Sequence, residues 1–266
     1  MQGATVKPLE TILRLEPRGV MSFVGGGGKT SLMFHLARQL ALAGMRVLTT
    51  TTTRIFVPTV EQSATVLVAR DPHDILEQAA TAHGATLHLT AAAEMAKAGK
   101  LKGFAPEEIG AFVESGRFDW ILVEADGAAR RPLKAPADHE PVIPEETTIL
   151  IAVAGLEVVG SPLGEELVFR SELAGELMGL SPRERITEQA MARLIAHPQG
   201  AFKGAPAESR RFVFLNKADT LPRREAAARI AGELQRQTPH AAEAVIVGQA
   251  LDGISIHAVH QLGGPQ

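Results

Sequence analysis

Short apolar runs alternate along the chain with segments in which apolar residues recur every three to four positions. Such runs predict buried β-strands, and the recurring spacing predicts amphipathic helices. The sequence predicts strands at 19–24, 46–51, 64–69, 85–90, 120–127, 147–155, 210–219 and 242–248, with helices over 29–44, from Asp71 and over 106–116. Strands that alternate with helices are typical of a mainly parallel sheet with helices on both faces. We therefore expect an α/β fold in the form of a three-layer sandwich.

The composition is that of an ordinary globular protein, with 266 residues, 45% of them hydrophobic, and a net charge of -3. We expect a single domain over 1–266, with a small helical insertion or lobe at about 156–208. The sequence contains no cysteine, which excludes disulfides and thiolate metal sites. Basic residues are not in excess and no apolar run reaches about 18 residues, so we expect no nucleic acid and no membrane as partner. The N-terminal sequence lacks the apolar stretch of a signal peptide, so we expect a cytoplasmic protein.

The stretch VGGGGKTS, residues 24–31, joins the first predicted strand to the first predicted helix. Glycines let backbone N–H groups curl around phosphate oxygens, and a helix N-terminus adds partial positive charge. Lysine and threonine at the start of the helix are typical of a P-loop, in which the lysine reaches the β- and γ-phosphates and the hydroxyl binds Mg²⁺. The predicted nucleotide-binding residues of this stretch are Gly25, Gly26, Gly27, Gly28, Lys29, Thr30 and Ser31.

The loop departs from the full pattern G-x-x-x-x-G-K-[ST], because Phe23 stands in place of the first glycine. Counted from Gly25 it is a shorter G-x-x-G-K-T loop, which resembles that of Mur-type ligases. A dinucleotide fingerprint fits less well, because Thr30 replaces its last glycine and no Asp or Glu lies between Glu16 and Glu61. A tight turn with glycines for packing alone is the remaining alternative, and it leaves the lysine and threonine unexplained.

Two carboxylates, Glu124 and Asp126, follow a predicted buried strand. Ligands of open α/β sheets bind at the carboxyl ends of the strands, where buried carboxylates need a metal or hydrogen-bond donors. We predict that Thr30, Glu124 and Asp126 hold Mg²⁺ and that Lys29 acts with the two acids in catalysis. Which acid holds the metal and which orients the attacking water is open, and a strand-end turn is the alternative for Asp126. The spacing Glu124-x-x-Gly127 resembles a switch of the metallochaperone-like GTPases of hydrogenase and urease maturation.

The sequence FLNKAD ends another predicted strand and contains the N-K-x-D pattern of GTPases as Asn216, Lys217 and Asp219. A carboxylate at Asp219 would accept both N–H donors on the edge of guanine, whereas adenine presents an acceptor there. Lys217 would cover a face of the base and Asn216 would brace the loop. The segment VGQA at 247–250 would complete the base pocket by its backbone. The alternative is that Asp219 caps the helix that follows.

Further candidates lie near the same edge of the predicted sheet. The second strand ends with Thr51 to Thr53 and Arg54. These residues would support a phosphate or metal, and the alternative is that the threonines are there because threonine favours β-strands. The loop 128–146 is rich in proline and charge, and we predict that its cations Arg130, Arg131 and Lys134 bind an anionic substrate. The loop itself would be a substrate lid, with an ordinary solvated loop as the alternative.

Three blocks of the sequence, SFVGGGGKTSLMFHLARQLALAGMRVLTTTTTRIF, ILVEADGAARRPLKAPADHEPVIP and FLNKAD, resemble the YqeC family in the same order. The middle block is the most specific, since many NTPases share the other two. The resemblance implies a nucleotide-dependent accessory role in the maturation of a selenium-dependent molybdenum hydroxylase, which would make that enzyme or its cofactor a partner.

The residues and the resemblance together predict a P-loop NTPase-like fold that binds and hydrolyses GTP, or else ATP, with Mg²⁺. Hydrolysis would switch the loop 128–146 and the adjoining lobe, and so time the release of a client or cofactor. One alternative is an ATP-dependent ligase or kinase that acts on a small substrate. Another is a module that binds a nucleotide or cofactor without hydrolysis. A homodimer is a further expectation, drawn from GTPases that pair two sites.

Overall fold

The computed structural model describes residues 7–82 and 86–263. The first seven strands are β1 (Gly19–Gly25), β2 (Val47–Thr51), β3 (Arg54–Phe56), β4 (Val66–Val68), β5 (His88–Ala92), β6 (Glu94–Ala96) and β7 (Lys100–Lys102). The others are β8 (Trp120–Glu124), β9 (Leu133–Lys134), β10 (Thr147–Gly155), β11 (Val168–Phe169), β12 (Arg210–Asn216), β13 (Ala244–Ala250) and β14 (Ile254–Gln261). The helices are α1 (Leu9–Ile12), α2 (Lys29–Leu42), α3 (Pro72–Ala82), α4 (Ile109–Glu114), α5 (Ser171–Met178), α6 (Glu188–Ala196) and α7 (Leu221–Gln237).

Nine strands form one sheet in the order β14-β13-β12-β10-β1-β8-β2-β5-β4. All neighbouring strands run parallel except β13 and β14, which are antiparallel. The central strands are buried along their length because helices cover both faces, as the apolar runs predict. The first residue of the predicted strand 85–90 lies outside the described residues, and the strand itself begins at His88.

The two faces of the sheet carry different helices. On one face Met21 and Phe23 of β1 share a hydrophobic cluster with Leu32 and Leu36 of α2. The alternate residue Val20 points to the other face, into the cluster that contains helices α3 and α4. This arrangement confirms the predicted three-layer α/β sandwich with a mainly parallel sheet.

Residues 156–208, predicted as a helical lobe, contain α5 and α6. Met178 of α5 and Met191 of α6 are fully buried in the same hydrophobic cluster as Ile230 of α7 and Val213 of β12. The shared core supports the prediction of one domain over the whole chain, which stays a prediction. Within the described ranges, no helix combines the length and apolar character needed to cross a bilayer.

The carboxyl ends of the parallel strands meet along one edge of the sheet, and the strand order fixes what lies side by side there. The end of β1 leads into the glycine loop, with Glu124 at the end of β8 on one side and Asn216 at the end of β12 beyond β10 on the other. Farther along, β2 ends at Thr51 and leads into a small antiparallel sheet of order β3-β7-β6. This small sheet and the edge strand β14 are elements that the sequence reasoning missed.

Candidate functional site

The glycine loop is held against the protein by its own backbone. The N–H of Gly25 donates to Asp126 Oδ2 at 3.0 Å, that of Gly26 donates to Val153 O at 2.9 Å, and that of Gly27 donates to Arg131 O at 3.0 Å. Asn216 Nδ2 donates to Gly27 O at 2.7 Å. The loop is therefore fixed before any ligand arrives.

These hydrogen bonds distinguish among the four glycines that the sequence predicts to bind a nucleotide. The first three amides already donate inside the protein, whereas Gly28 is followed by the open first turn of α2. In the described residues no acceptor is recorded for the N–H groups of Gly28, Lys29, Thr30 and Ser31. The first N–H groups of a helix have no intrahelical partner, so these four are the ones that can meet an anion.

Lys29 is folded into the site and is only 4% exposed. Its Nζ donates to Gly25 O at 2.6 Å and lies 3.0 Å from Asp126 Oδ1 and 3.9 Å from Glu124 Oε1. Burial alone would lower the pKa of Lys29, but the charges of Asp126 and Glu124 outweigh it, and the pKa is raised. Lys29 is therefore a charged ammonium group held at the mouth of the loop.

Thr30 and Glu124 form a pair on the floor of the cleft described below, where the Thr30 hydroxyl donates to Glu124 Oε2 at 2.6 Å. Burial raises the pKa of Glu124, and the Lys29 charge and the Thr30 hydrogen bond offset only part of this effect. A hydroxyl and a carboxylate are ligands that Mg²⁺ accepts when phosphates and water complete its octahedron. The described residues contain no group of three or more His, Cys, Asp or Glu side chains that could hold a metal alone. The pair therefore fits Mg²⁺ in company with phosphate.

Asp126 has a different environment from Glu124, because it does not line the cleft. Its Oδ1 pairs with Lys29, and its Oδ2 accepts from Gly25 N and lies 3.1 Å from Lys134 Nζ. Lys134 also pairs with Glu140 Oε2 at 2.5 Å. Asp126 thus links the phosphate loop to the segment after β8.

Glu140 continues this ionic chain to Arg170, which donates to both of its carboxylate oxygens at 2.7 and 3.1 Å. Burial alone would raise the pKa of Glu140, but hydrogen bonds from Arg170 and Lys134 outweigh it and lower the pKa to about 2. The chain Lys29–Asp126–Lys134–Glu140–Arg170 alternates in sign and extends from the loop to the start of α5.

The structure separates the three cations predicted to bind a substrate together. Lys134 is 4% exposed and ion-paired, so it is a structural partner of Asp126 and does not face the cleft. Arg131 lines the cleft but donates to Glu165 O at 2.8 Å. Arg130 lines the cleft with its guanidinium 5.1 Å from the ring of Phe56.

Residues 132–136, in the middle of the predicted lid, are buried. Leu133 belongs to the main hydrophobic cluster, and Pro132 O accepts from Gly155 N at 2.9 Å. This packing argues against the alternative of an ordinary solvated loop, and the lid stays a prediction. The segment 131–133 supports the glycine loop from outside.

At the other end of the edge, Asn216 organises the predicted base site. Besides its bond to Gly27, its Oδ1 accepts from Lys217 N at 2.9 Å and from Ala250 N at 3.0 Å. Asn216 thereby ties the phosphate loop to the ends of β12 and β13, in the bracing role that the sequence predicts. Lys217 forms an ion pair with Glu157.

Asp219 lies at the cleft, and its side chain is 48% exposed. Its Oδ1 accepts from Arg223 at 2.5 Å, and this hydrogen bond lowers the pKa of Asp219. Gln249, Ala250 and Leu251 line the same end of the cleft, close to the predicted segment 247–250. A base bound here would compete with Arg223 for Asp219.

The threonines at the end of β2 divide between support and lining, since Thr51 is outside the cleft whereas Thr52 and Thr53 line it. Thr51 is buried, and its hydroxyl donates to Glu124 O at 2.6 Å, which holds the end of β8. Thr52 donates to Val142 O at 2.6 Å. Thr53 and Arg54 line the cleft.

One continuous cleft of about 1410 Å³ joins the start of α2, Glu124, Asn216 and Asp219, whereas Asp126 and Lys134 lie outside its lining. It extends from Asp219 and Leu251 at one end, past the start of α2, to the small sheet β3-β7-β6 at the other. The sequence reasoning missed several residues of this second end, namely Phe56, Arg70, Lys100 and Lys102. Phe56, Lys100 and Lys102 lie in three-residue strands and Arg70 lies in a bend after β4, so each signal is short and similar to that of a solvated loop.

The fold and site define an α/β protein with a P-loop at the carboxyl edge of a parallel sheet. A family model described as "YqeC protein" matches residues 21–172. The chain is also 38% identical over 229 residues to "Uncharacterized protein YqeC" of Escherichia coli (strain K12), with 86% of each chain covered. The chain therefore belongs to the YqeC family, as the sequence blocks predict.

Solved structures show weaker likeness. Chloroplast FtsY from Physcomitrella patens has a TM-score of 0.45 at 14% identity, covering 92% of this chain and 63% of its own. The MinC:MinD complex of Aquifex aeolicus gives 0.41 at 15% identity, covering 88% of this chain and 82% of its own. HypB from Helicobacter pylori, solved in complex with nickel, gives 0.38 at 11% identity, covering 91% of this chain and 82% of its own. At these values the likeness carries no inference about the site.

Proposed function

We propose that this chain binds a nucleoside triphosphate with Mg²⁺ and hydrolyses it, as an accessory factor for the maturation of another protein. The observation that carries the proposal is the convergence at the start of α2. Four free amides, the ammonium group of Lys29 and the paired Thr30 and Glu124 lie together on one cleft. Amides and an ammonium at a helix N-terminus are complementary to phosphate, and nothing in ordinary packing requires them.

Phosphate binding would exchange partners at Lys29. In the absence of ligand its Nζ is satisfied by Gly25 O and Asp126. A β- or γ-phosphate oxygen would take the place of the Gly25 carbonyl, while Asp126 keeps the ammonium in position. Asp126 is therefore a positioning residue in this proposal.

Hydrolysis would consume one water, which forms a bond to the γ-phosphorus as the bond to the β–γ bridging oxygen breaks. Mg²⁺ would be held by Thr30 and Glu124 and would supply charge stabilisation for the phosphates. Glu124 lines the cleft whereas Asp126 does not, so Glu124 is the acid that we assign next to the water and the metal. As a carboxylate beside that water, Glu124 would accept the proton that the water releases.

We also propose that the protein prefers guanine nucleotides. This preference is supported by Asn216, which braces both the phosphate loop and Ala250, and by Asp219 on the same cleft. Guanine would have to displace Arg223 from Asp219, and the freed guanidinium lies at the exposed rim. The link to a selenium-dependent molybdenum hydroxylase comes from the YqeC family resemblance, and it names the client class for this proposal.

The test is a titration of GTP, ATP and CTP, each with Mg²⁺, into the protein by calorimetry, followed by measurement of phosphate release. We expect GTP to bind most tightly. Lys29→Ala should weaken all three by roughly a hundredfold, since a charge-assisted contact contributes about 1.5–3 kcal/mol. Asp219→Ala should remove the preference for GTP and leave ATP affinity unchanged.

Two control variants keep this test specific. Lys7→Ala removes an exposed lysine remote from the cleft, and Asp74→Ala removes an exposed acid on α3. Both should bind GTP as the unaltered protein does. Equal affinity for the three nucleotides in the unaltered protein would contradict the guanine assignment, and full affinity in Lys29→Ala would contradict the phosphate site.

A further inference from the structure

We infer that the far end of the cleft, formed by Arg54, Phe56, Arg70, Lys100 and Arg130, is a second binding site for a small anionic molecule that carries phosphate groups. We call this set the cationic wall. The inference deepens the proposed function and rests on it for one point, the position of the second ligand beside the terminal phosphate of the nucleotide.

The pairing of strands β3 and β7 in the small sheet brings residues of the wall together. Arg54 lies opposite Lys102, and Phe56 lies opposite Lys100. The residues between them, Ile55 and Leu101, are buried at 3% and 0% exposure. Because side chains alternate along a strand, burial of this pair turns the charged residues and Phe56 toward the cleft.

The wall is attached firmly to the site. Gly103 N donates to Thr53 O at 3.0 Å, and Phe104 N donates to Thr51 O at 3.1 Å. A Cβ on Gly103 would lie 1.5 Å from Thr51 O, so only glycine permits this approach. The strand β7 is thereby fixed to the end of β2, next to Glu124.

Among the described residues, the cations of the wall form no ion pair, although Glu94 and Glu108 also line the cleft. In the described ranges, no carboxylate lies within 4.0 Å of Arg54, Arg70, Lys100 or Arg130, whereas Lys102 has Glu94 at 3.8 Å. The whole chain has a net charge of -3, so this local excess runs against the overall balance. Like charges gathered in a concave surface raise the local concentration of anions.

Phe56 holds two of these cations in place. The Lys100 ammonium lies 5.0 Å from the ring centroid, and the Arg130 guanidinium lies 5.1 Å from it. Cation–π contacts orient the charged heads while leaving their hydrogen-bond donors available. Phe56 is 45% exposed, although an aromatic side chain of this size is ordinarily buried.

The size and direction of the cleft leave room for two ligands. Its volume of about 1410 Å³ exceeds the roughly 300–1,000 Å³ of a cleft for one small ligand. A nucleotide with its base near Asp219 and its phosphates at Lys29 would point its terminal phosphate toward β8 and β2. The wall lies beyond that point, on the same cleft.

The test is calorimetric titration with inorganic pyrophosphate, which can occupy both anion sites without a base. We expect the unaltered protein to bind at two sites. Lys29→Ala should lose the site at the glycine loop, and the double variant Arg54→Ala, Lys100→Ala should lose the other. Lys29→Ala should weaken its own site roughly a hundredfold, as for the triphosphates, and each wall cation removed should weaken the wall site roughly tenfold, from the strength of charge-assisted hydrogen bonds.

Lys97→Ala is the matched control, because Lys97 lies in the turn between β6 and β7 but does not line the cleft. It should bind as the unaltered protein does, and thermal unfolding should show that all variants are folded. A single site that Lys29→Ala abolishes and the double variant retains would overturn the inference. An equal loss in Lys97→Ala would overturn it too, since it would indicate nonspecific attraction. Survival of the wall site together with full pyrophosphate binding in Lys29→Ala would support the inference and contradict the proposed function.

Discussion

Substitution of Gly27 by alanine tests whether the glycine loop depends on the segment that packs against it. Gly27 has a φ of +79°, a conformation that strains any residue with a Cβ. A Cβ there would lie 2.6 Å from Gly155 N and 2.7 Å from Pro132 O. Both contacts are with backbone atoms, so neither can be relieved by rotation of a side chain.

The expected loss of stability has two parts. The left-handed conformation costs an alanine about 1–2 kcal/mol, and overpacking against fixed backbone costs about 1–3 kcal/mol more. Alanine at Gly160 allows the two costs to be measured separately. Its φ of +81° is nearly the same as that of Gly27, but no atom lies within 4 Å of its Cβ position. Gly160→Ala should therefore show only the first cost, and Gly27→Ala should show both.

The assay is urea unfolding followed by circular dichroism, with triphosphate affinity measured on the same samples. Gly27→Ala should be less stable than Gly160→Ala by about 1–3 kcal/mol and should bind the triphosphate at least roughly tenfold more weakly, because the displaced loop misplaces the amides of α2. Gly160→Ala should keep the original affinity. Equal stability of the two variants would refute the claim that the segment 131–133 shapes the loop.

Three other outcomes follow from the charges and contacts of the site. Burial lowers the pKa of His88 to about 4, so the unfolded chain binds a proton first as pH falls below about 6.5. His88 should account for about 2 kcal/mol of the stability lost between pH 7.5 and 5, and His88→Asn should lose less stability by that amount, measured by urea unfolding at both pH values. Glu140→Gln should lower the free energy of unfolding by about 3 kcal/mol at pH 7, because it leaves Arg170 without its carboxylate and Lys134 with only one. Because the pKa of Glu140 is lowered to about 2, its stabilising contribution is present above about pH 4.5 and is lost toward pH 2. A variant as stable as the original at pH 7 would contradict the ionic chain. Thr30→Val should abolish the Mg²⁺ dependence of triphosphate affinity in calorimetry, and an unchanged response to Mg²⁺ would contradict its assignment as a ligand.

The central sheet was predictable because its strands are buried on both faces. The run 149–155 is apolar without interruption, a pattern typical of a parallel strand that helices cover on both faces. The small sheet was not predictable from the same signal. Its strands have three residues each, and residues such as Arg54 and Lys100 give them the composition of a loop.

The site was predictable in its motifs but not in its internal contacts. The order of Lys29, Glu124 and Asn216 along the chain indicated which strand ends they follow, and parallel topology brings those ends to one edge. The burial of Lys134 could not be derived, because it depends on how the loop after β8 folds back onto β10 and β11. The hydrogen bond from Gly27 N to Arg131 O depends on the same folding of this loop.

The most direct measurement of the central claim is a crystal structure of the protein with a non-hydrolysable GTP analogue and Mg²⁺. The account predicts phosphate oxygens within hydrogen-bond distance of the amides of Gly28 to Ser31, the Lys29 ammonium turned from Gly25 O to phosphate, and Mg²⁺ on Thr30. A nucleotide bound elsewhere, with Lys29 still on the Gly25 carbonyl, would contradict it.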